Sequence, residues 1–284
     1  RMRYHRLGEL PPKRHTQFRR NGRLLVEEVM GYEGFSGNES ILYHVESPCR
    51  VSEVLDFTPI ARDEWVPDAH VHRLTNTAEL GPQGDPIFGR RLLMWNADVE
   101  IALCKPSEQS EVFFRNGEGD EVLFVHEGSG TLESVFGTLP FRRHDYVVIP
   151  RGTTYRITMD DGPQTWLCFT TPGEIETPNR YRNRYGQLNE GAPFSHRDFH
   201  APVALATHDE PGEHELVVRV RDGYQRFRLD YHPFDVVGWD GYVYPYTFNV
   251  ADFEPIAGRL HQPPPVHQTF QGPNFVICSF CPRD

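Results

Sequence analysis

The stretch HDYVVIPRGTTYRI, residues 144–157, decides the fold. DYVVI is a short apolar run, PRG punctuates it, and TTYRI alternates again. Pro150 fixes φ and offers no donor, while Gly152 allows a positive φ, so two strands meet at a tight turn. Runs of the same kind surround it: ADVEIALC (97–104), DEVLFVHEG (120–128) and TLESVFG (131–137), each bounded by turn residues. Strands at this spacing predict an antiparallel sandwich or barrel. The 24 glycines, 24 prolines and 12% aromatic residues agree with many short strands and turns.

The same pattern continues on both sides. Residues 1–50 place LLVEEVM and SILYHV among turns at Asn21-Gly22, Gly34 and Gly37-Asn38, which predicts hairpins. Residues 51–90 are polar and turn-rich and read as loops. Residues 173–212, rich in Pro, Asn and Arg, read as a crossing segment. HELVVRVRDGYQRFRLDYH (214–232) reads as a hairpin turning at Asp222-Gly223, with Arg219, Arg221, Arg226 and Arg228 on a wet face. FDVVGWDGYVYPYTFNVADFEPIAG reads as an aromatic loop, and PNFVICSF as a buried strand. The expected division is 1–172, an N-terminal β region, and 173–284, the crossing segment and the start of a second domain.

A net charge of −11 argues against nucleic acid or an anionic membrane as the main partner. No apolar run approaches the roughly 20 residues of a bilayer span. The basic N-terminus lacks the apolar core of a secretory signal. Five cysteines, an odd and sparse set, suit a reducing cytoplasm. The chain begins on Arg1 and stops after SFCPRD, and it reads as a fragment of a longer one.

The central phrases resemble those of cupin barrels, whose two signatures are G-x5-H-x-H-x3,4-E-x6-G and G-x5-P-x-G-x2-H-x3-N. Glu121 and Gly128 match the end of the first, and Asp145, Pro150 and Gly152 match the second. The ligand positions differ. Phe114, Arg115, Asn116 and Gly117 stand in the H-x-H region, and Tyr155 replaces the last histidine. One carboxylate does not hold a transition metal, so side chains are expected to fill this mouth. His70-Val71-His72 lacks a carboxylate at the right spacing, and Cys278-x-x-Cys281 lacks the second pair that zinc needs. In RLHQPPPVHQTF three prolines stiffen the chain beside His261 and His267. A histidine held there suits a structural role, or that of a base or hydrogen-bond donor near pH 7.

The whole chain resembles homogentisate 1,2-dioxygenases. The resemblance rests on KRHTQFR, EEVMGYEGFSGNESILYH, GRRLLMWNADVEI, NGEGDEVLFVHEGSGTLESVFGTL, DYVVIPRGTTYRI and RLHQPPPVHQTFQGPNFVICSFCPR, and most specifically on PFDVVGWDG (233–241). It implies an all-β, bicupin-type fold of antiparallel jelly-roll barrels, the second incomplete within these residues. It implies a ferrous enzyme that converts homogentisate and O2 to maleylacetoacetate in tyrosine and phenylalanine breakdown. The family's Fe2+ ligands, a His-x5-Glu and a later His, would lie beyond Asp284, so no metal ligand is expected within the chain. His261 matches the family histidine proposed to meet the phenolic oxygen. A trimeric or hexameric homo-oligomer is implied. A non-catalytic binding or storage cupin, or a dioxygenase for a related aromatic such as gentisate, stays open beside it.

Overall fold

The computed structural model describes residues 2–64, 71–255 and 267–281. Among them, regular structure is β apart from three single 3-10 turns, Asn179–Tyr181, His196–Asp198 and Val250–Asp252. The all-β jelly-roll class expected from the sequence is what folds.

The two strands flanking the PRG turn do not pair with each other. Asp145–Ile149 lies between Asp120–Glu127 and Tyr246–Asn249 in one sheet. Thr154–Met159 lies between Gly130–Ser134 and Phe113–Asn116 in another. The turn therefore carries the chain across the molecule, with Gly152 at φ 85°. That positive φ is where a side chain would be strained.

The first sheet runs, in space, Phe199–His200, Tyr246–Asn249, Asp145–Ile149, Asp120–Glu127, Thr165–Thr171, Glu100–Cys104, Arg91–Trp95. The second runs Gly137–Phe141, Gly130–Ser134, Thr154–Met159, Phe113–Asn116, Pro211–Val220, Gly223–Tyr231, Glu53–Pro59. Neither closes on itself. They pack through Leu123, Val147, Ile149 and Trp166 of the first against Phe114, Leu132, Tyr155, Ile157 and Val217 of the second. Alternate residues of each strand supply this core, as a two-residue period requires. One junction is parallel, Phe113–Asn116 with Pro211–Val220. Strands from both sides of residue 172 share both sheets.

Several local readings change. Glu53–Pro59, expected as loop, is an edge strand on Gly223–Tyr231. Gly37-Asn38 falls inside Ser36–His44, and the turn is at Gly34-Phe35. The long hairpin turns at Arg221-Asp222, with Arg221 at φ 52°. Gly223 serves packing instead, because a Cβ there would lie 2.0 Å from the Phe57 ring. The aromatic 230s and 240s are not loop. Val236–Gly241 and Tyr246–Asn249 are strands buried along their whole length. Phe275–Cys278 is a strand, but only Ile277 in it is buried.

Val236–Gly241 is held between His5–Gly8 and Ser36–His44 in a third, four-stranded sheet. Trp239 joins that sheet to the sandwich. Its indole N–H donates to the Phe136 carbonyl at 2.8 Å, and its ring meets Phe136 edge-on at 5.0 Å. Asp235, in the PFDVVGWDG phrase, accepts from the Glu46 amide at 2.6 Å and sits 2.8 Å from His44 Nδ1. His44 Nε2 is 2.8 Å from Glu28. Burial pushes the imidazole down, but hydrogen bonds and charge from Asp235 and Glu28 outweigh it and raise it to about 9. A group raised in the folded state stabilises fully below its unfolded value and loses that contribution as pH climbs through the folded one. Unfolding free energy from urea titrations should therefore fall, on this account by on the order of 3 kcal/mol, between about pH 6 and about pH 10. His44→Gln should remove most of that slope. Equal slopes in the two proteins would contradict the assignment.

Candidate functional site

Asp120 and Glu121 are neighbours on one strand, so their side chains leave on opposite faces. Glu121 points into the sandwich and is 1% exposed. Arg90, from the loop before Arg91–Trp95, donates from Nη1 to Oε1 of Glu121. Tyr155 donates its hydroxyl to Oε2 at 2.8 Å. Arg90 Nε donates to the Pro86 carbonyl at 2.9 Å, and Nη2 to the Tyr155 oxygen at 3.3 Å. Asp85 braces the loop by accepting from the Ile87 and Phe88 amides at 2.8 and 2.6 Å. Phe114, in the H-x-H region, stands edge-on to Tyr155 at 5.6 Å.

The electrostatics are self-contained. Burial and the Glu121 charge push the Tyr155 phenol well above its ordinary range. Burial works against the Arg90 charge, but Tyr155 and Glu121 hold that guanidinium in its charged form. One buried cation thus answers one buried anion, which is the condition for burying either. A metal ion needs lone pairs that are free to converge. Here both Glu121 oxygens are taken and Tyr155 stays protonated, so the cluster does not fit a resident ion.

Asp120 works on the other face. It accepts from Tyr32 at 2.7 Å and from the Arg151 and Ile175 amides, each at 2.8 Å. Burial raises its carboxyl to about 6 against the pull of those three hydrogen bonds. Asp120 therefore pins the crossover turn and the start of the crossing segment to one strand.

One further cluster had no sequence signal of its own. His208, Glu210 and His232 bring potential ligand atoms within 4.8 Å of one another. The hairpin register that pairs His214 with Leu229 and Pro211 with Tyr231 places His232 there, and extending that register was the available clue. The rings of His208 and His232 stack at 4.2 Å and 15°. Parallel rings send their in-plane lone pairs side by side rather than to one point. His232 Nδ1 accepts from the Phe234 amide at 3.0 Å, so its proton is on Nε2. Burial, then His208 and His214, push His232 down to about 4. His208 Nδ1 is 2.8 Å from Glu210. This is a stacked pair of rings rather than an iron face.

His261 and His70 lie outside the described residues. His72 is exposed, and His267 packs its ring on Phe280 at 4.7 Å. All five cysteines carry free thiols, including Cys278 and Cys281. Arg219, expected on a wet face, instead has its side chain 11% exposed, with Nη2 on Glu100 at 2.9 Å.

Residues 91–250 match the family described as Homogentisate 1,2-dioxygenase N-terminal. A Saccharolobus solfataricus protein with a provisional dioxygenase name is 43% identical over 281 residues, 99% of this chain and 72% of that protein. A homogentisate 1,2-dioxygenase of Emericella nidulans is 27% identical over 86% of this chain and 52% of its own length. One from Nitrobacter hamburgensis is 32% identical over 78% of this chain and 46% of its own. The chain thus spans about half the length of these two relatives. A cupin-2 domain protein from Shewanella frigidimarina aligns with 32% of the chain at TM-score 0.28 and 20% identity.

The buried pair yields a stability test. Arg90→Met strands the Glu121 charge and should cost about 3–5 kcal/mol in urea unfolding. Adding Glu121→Gln to Arg90→Met should recover much of that loss. Losses that simply add would show that the two side chains are not coupled.

Proposed function

This chain belongs to the homogentisate 1,2-dioxygenase family, and we propose that the protein opens the ring of homogentisate with O2 to give maleylacetoacetate. The observation that carries this reading is the family match across residues 91–250, which includes Glu121, Tyr155 and the PFDVVGWDG phrase. In it, residues 1–172 serve as scaffold, and residues 173–284 lead toward the catalytic domain. The family resemblance assigns the ligands of the ferrous ion to positions after Asp284, and neither the Glu121 cluster nor the His208 cluster suits it. His261 is assigned the contact with the phenolic oxygen. The protein is proposed to work in the cytoplasm as a homo-oligomer, a trimer or hexamer. Among the described residues no helix is long and apolar enough to cross a membrane.

A second reading has its own support. The Saccharolobus relative, matched over 99% of this chain, bears a name that gives no substrate. A related ring acid such as gentisate is therefore the alternative substrate.

Oxygen uptake by the intact protein with ferrous iron separates these. Homogentisate should give stoichiometric uptake and product absorbance. Uptake with gentisate alone favours the second reading, and uptake with neither supports a non-catalytic binding module. His261→Ala should lower turnover by roughly a hundredfold, a usual loss for an acid–base group, while iron content stays unchanged. An unaltered rate would remove His261 from the reaction.

A further inference from the structure

Three imidazoles meet where the crossing segment passes the long hairpin. His232 is the most enclosed of them, 9% exposed. The His208 ring stacks on it, and the His214 ring meets it at 4.7 Å and 64°. Phe113 stands edge-on to His214 and His232, at 5.6 and 5.2 Å.

His232 also makes the turn that follows it. Its Nδ1 accepts from the Phe234 amide, and the Phe234 carbonyl accepts from the His208 amide at 2.9 Å. Thr207 donates its hydroxyl to the Val236 carbonyl at 2.9 Å. Phe234 packs its ring edge-on to Phe113 at 4.9 Å. The crossing segment is therefore held to the sandwich through the turn that His232 closes.

A second proton on His232 has one place to go. Nε2 already carries the first, so the added proton must sit on Nδ1. There it takes the lone pair that holds the Phe234 amide and sets two N–H groups against each other. Little around the ring offsets the new charge. The titratable and charged groups acting on it are His208, His214, Glu210 and Arg156. Glu210 is 57% exposed and lies 2.8 Å from His208 Nδ1. Arg156, over the Phe113 ring at 5.1 Å, is itself positive and is answered by Glu133. On the segment of His232 itself, Asp235 is turned to His44.

We propose that His232 is a proton-operated latch: charging its ring breaks the turn to Phe234 and releases residues 207–210 of the crossing segment. Burial is the largest cause that brings His232 down to about 4, and burial also lowers His214. Groups lowered in this way favour the packed state fully above the ordinary histidine value, about 6.5, and withdraw that support as pH falls toward about 4. Between pH 7 and pH 5 the His232 proton alone should raise the released population roughly twentyfold.

Hydrogen exchange read by mass spectrometry tests this on the whole protein, because local opening exposes amides. After correction for slower chemical exchange in acid, peptides covering 205–212 and 232–236 should lose protection roughly twentyfold from pH 7 to pH 5. Strand Thr165–Thr171 should keep its protection. His232→Asn retains an acceptor for the Phe234 amide and cannot take a charge, so it should remove most of the loss. Should that variant fail to fold, NMR titration of the unaltered protein decides. The His232 ring must then take its proton over the same pH range in which the Phe234 amide loses protection. A ring that charges while that amide stays protected would overturn the proposal. So would equal loss of protection in Thr165–Thr171, or an undiminished loss in a folded His232→Asn protein.

Discussion

A buried carboxylate must be answered, and how Glu121 is answered governs the sandwich. An unpaired charge between two apolar sheets would cost several kcal/mol. Arg90 and Tyr155 each meet one of its oxygens, one from a loop and one from the facing sheet. The three groups therefore cross-link the two layers. The PRG turn makes this possible. By moving the chain from one sheet to the other, it sets Tyr155 across from the strand that carries Glu121.

Asp120 and Glu121 divide the work of one strand between its faces. Glu121 joins the sheets from within. Asp120 fastens the outside, taking amides from the crossover turn and from the segment that leads away at Ile175. The Trp239–Phe136 contact then seats the third sheet, and His44 with Asp235 locks the strands behind it. The result is a rigid frame whose polar interior is largely satisfied by its own side chains, with Arg219 as an exception. In the proposed dioxygenase this frame would support chemistry performed elsewhere.

Legibility followed the physics of burial. Strands with one wetter and one dry face, such as Gly130–Ser134 and Gly137–Phe141, announce themselves by a two-residue period. Val236–Gly241 is buried on both faces, so it has no alternation and reads as an aromatic loop. Glu53–Pro59 fails for the opposite reason. It is mostly exposed and owes its order to pairing with a distant hairpin. The phrase around Tyr155 singles out Glu121 and Tyr155, and the structure brings the two together. The partner could not be read, because Arg90 lies 31 residues before Glu121 with no periodic link between them. Arg219 was misplaced on the wet face for the same reason, since Glu100 is 119 residues away. Long-range charge pairing leaves no local trace.

The central claim is that Arg90 and Tyr155 close the buried Glu121 carboxylate so that the sandwich takes no ion there. Metal analysis tests it most directly. The 284-residue chain would be equilibrated anaerobically with excess ferrous iron, freed of unbound metal by gel filtration, and analysed by plasma mass spectrometry. The account predicts iron far below one per chain, with the same low value in Glu121→Gln. One iron per chain, lost on substituting Glu121, would contradict it.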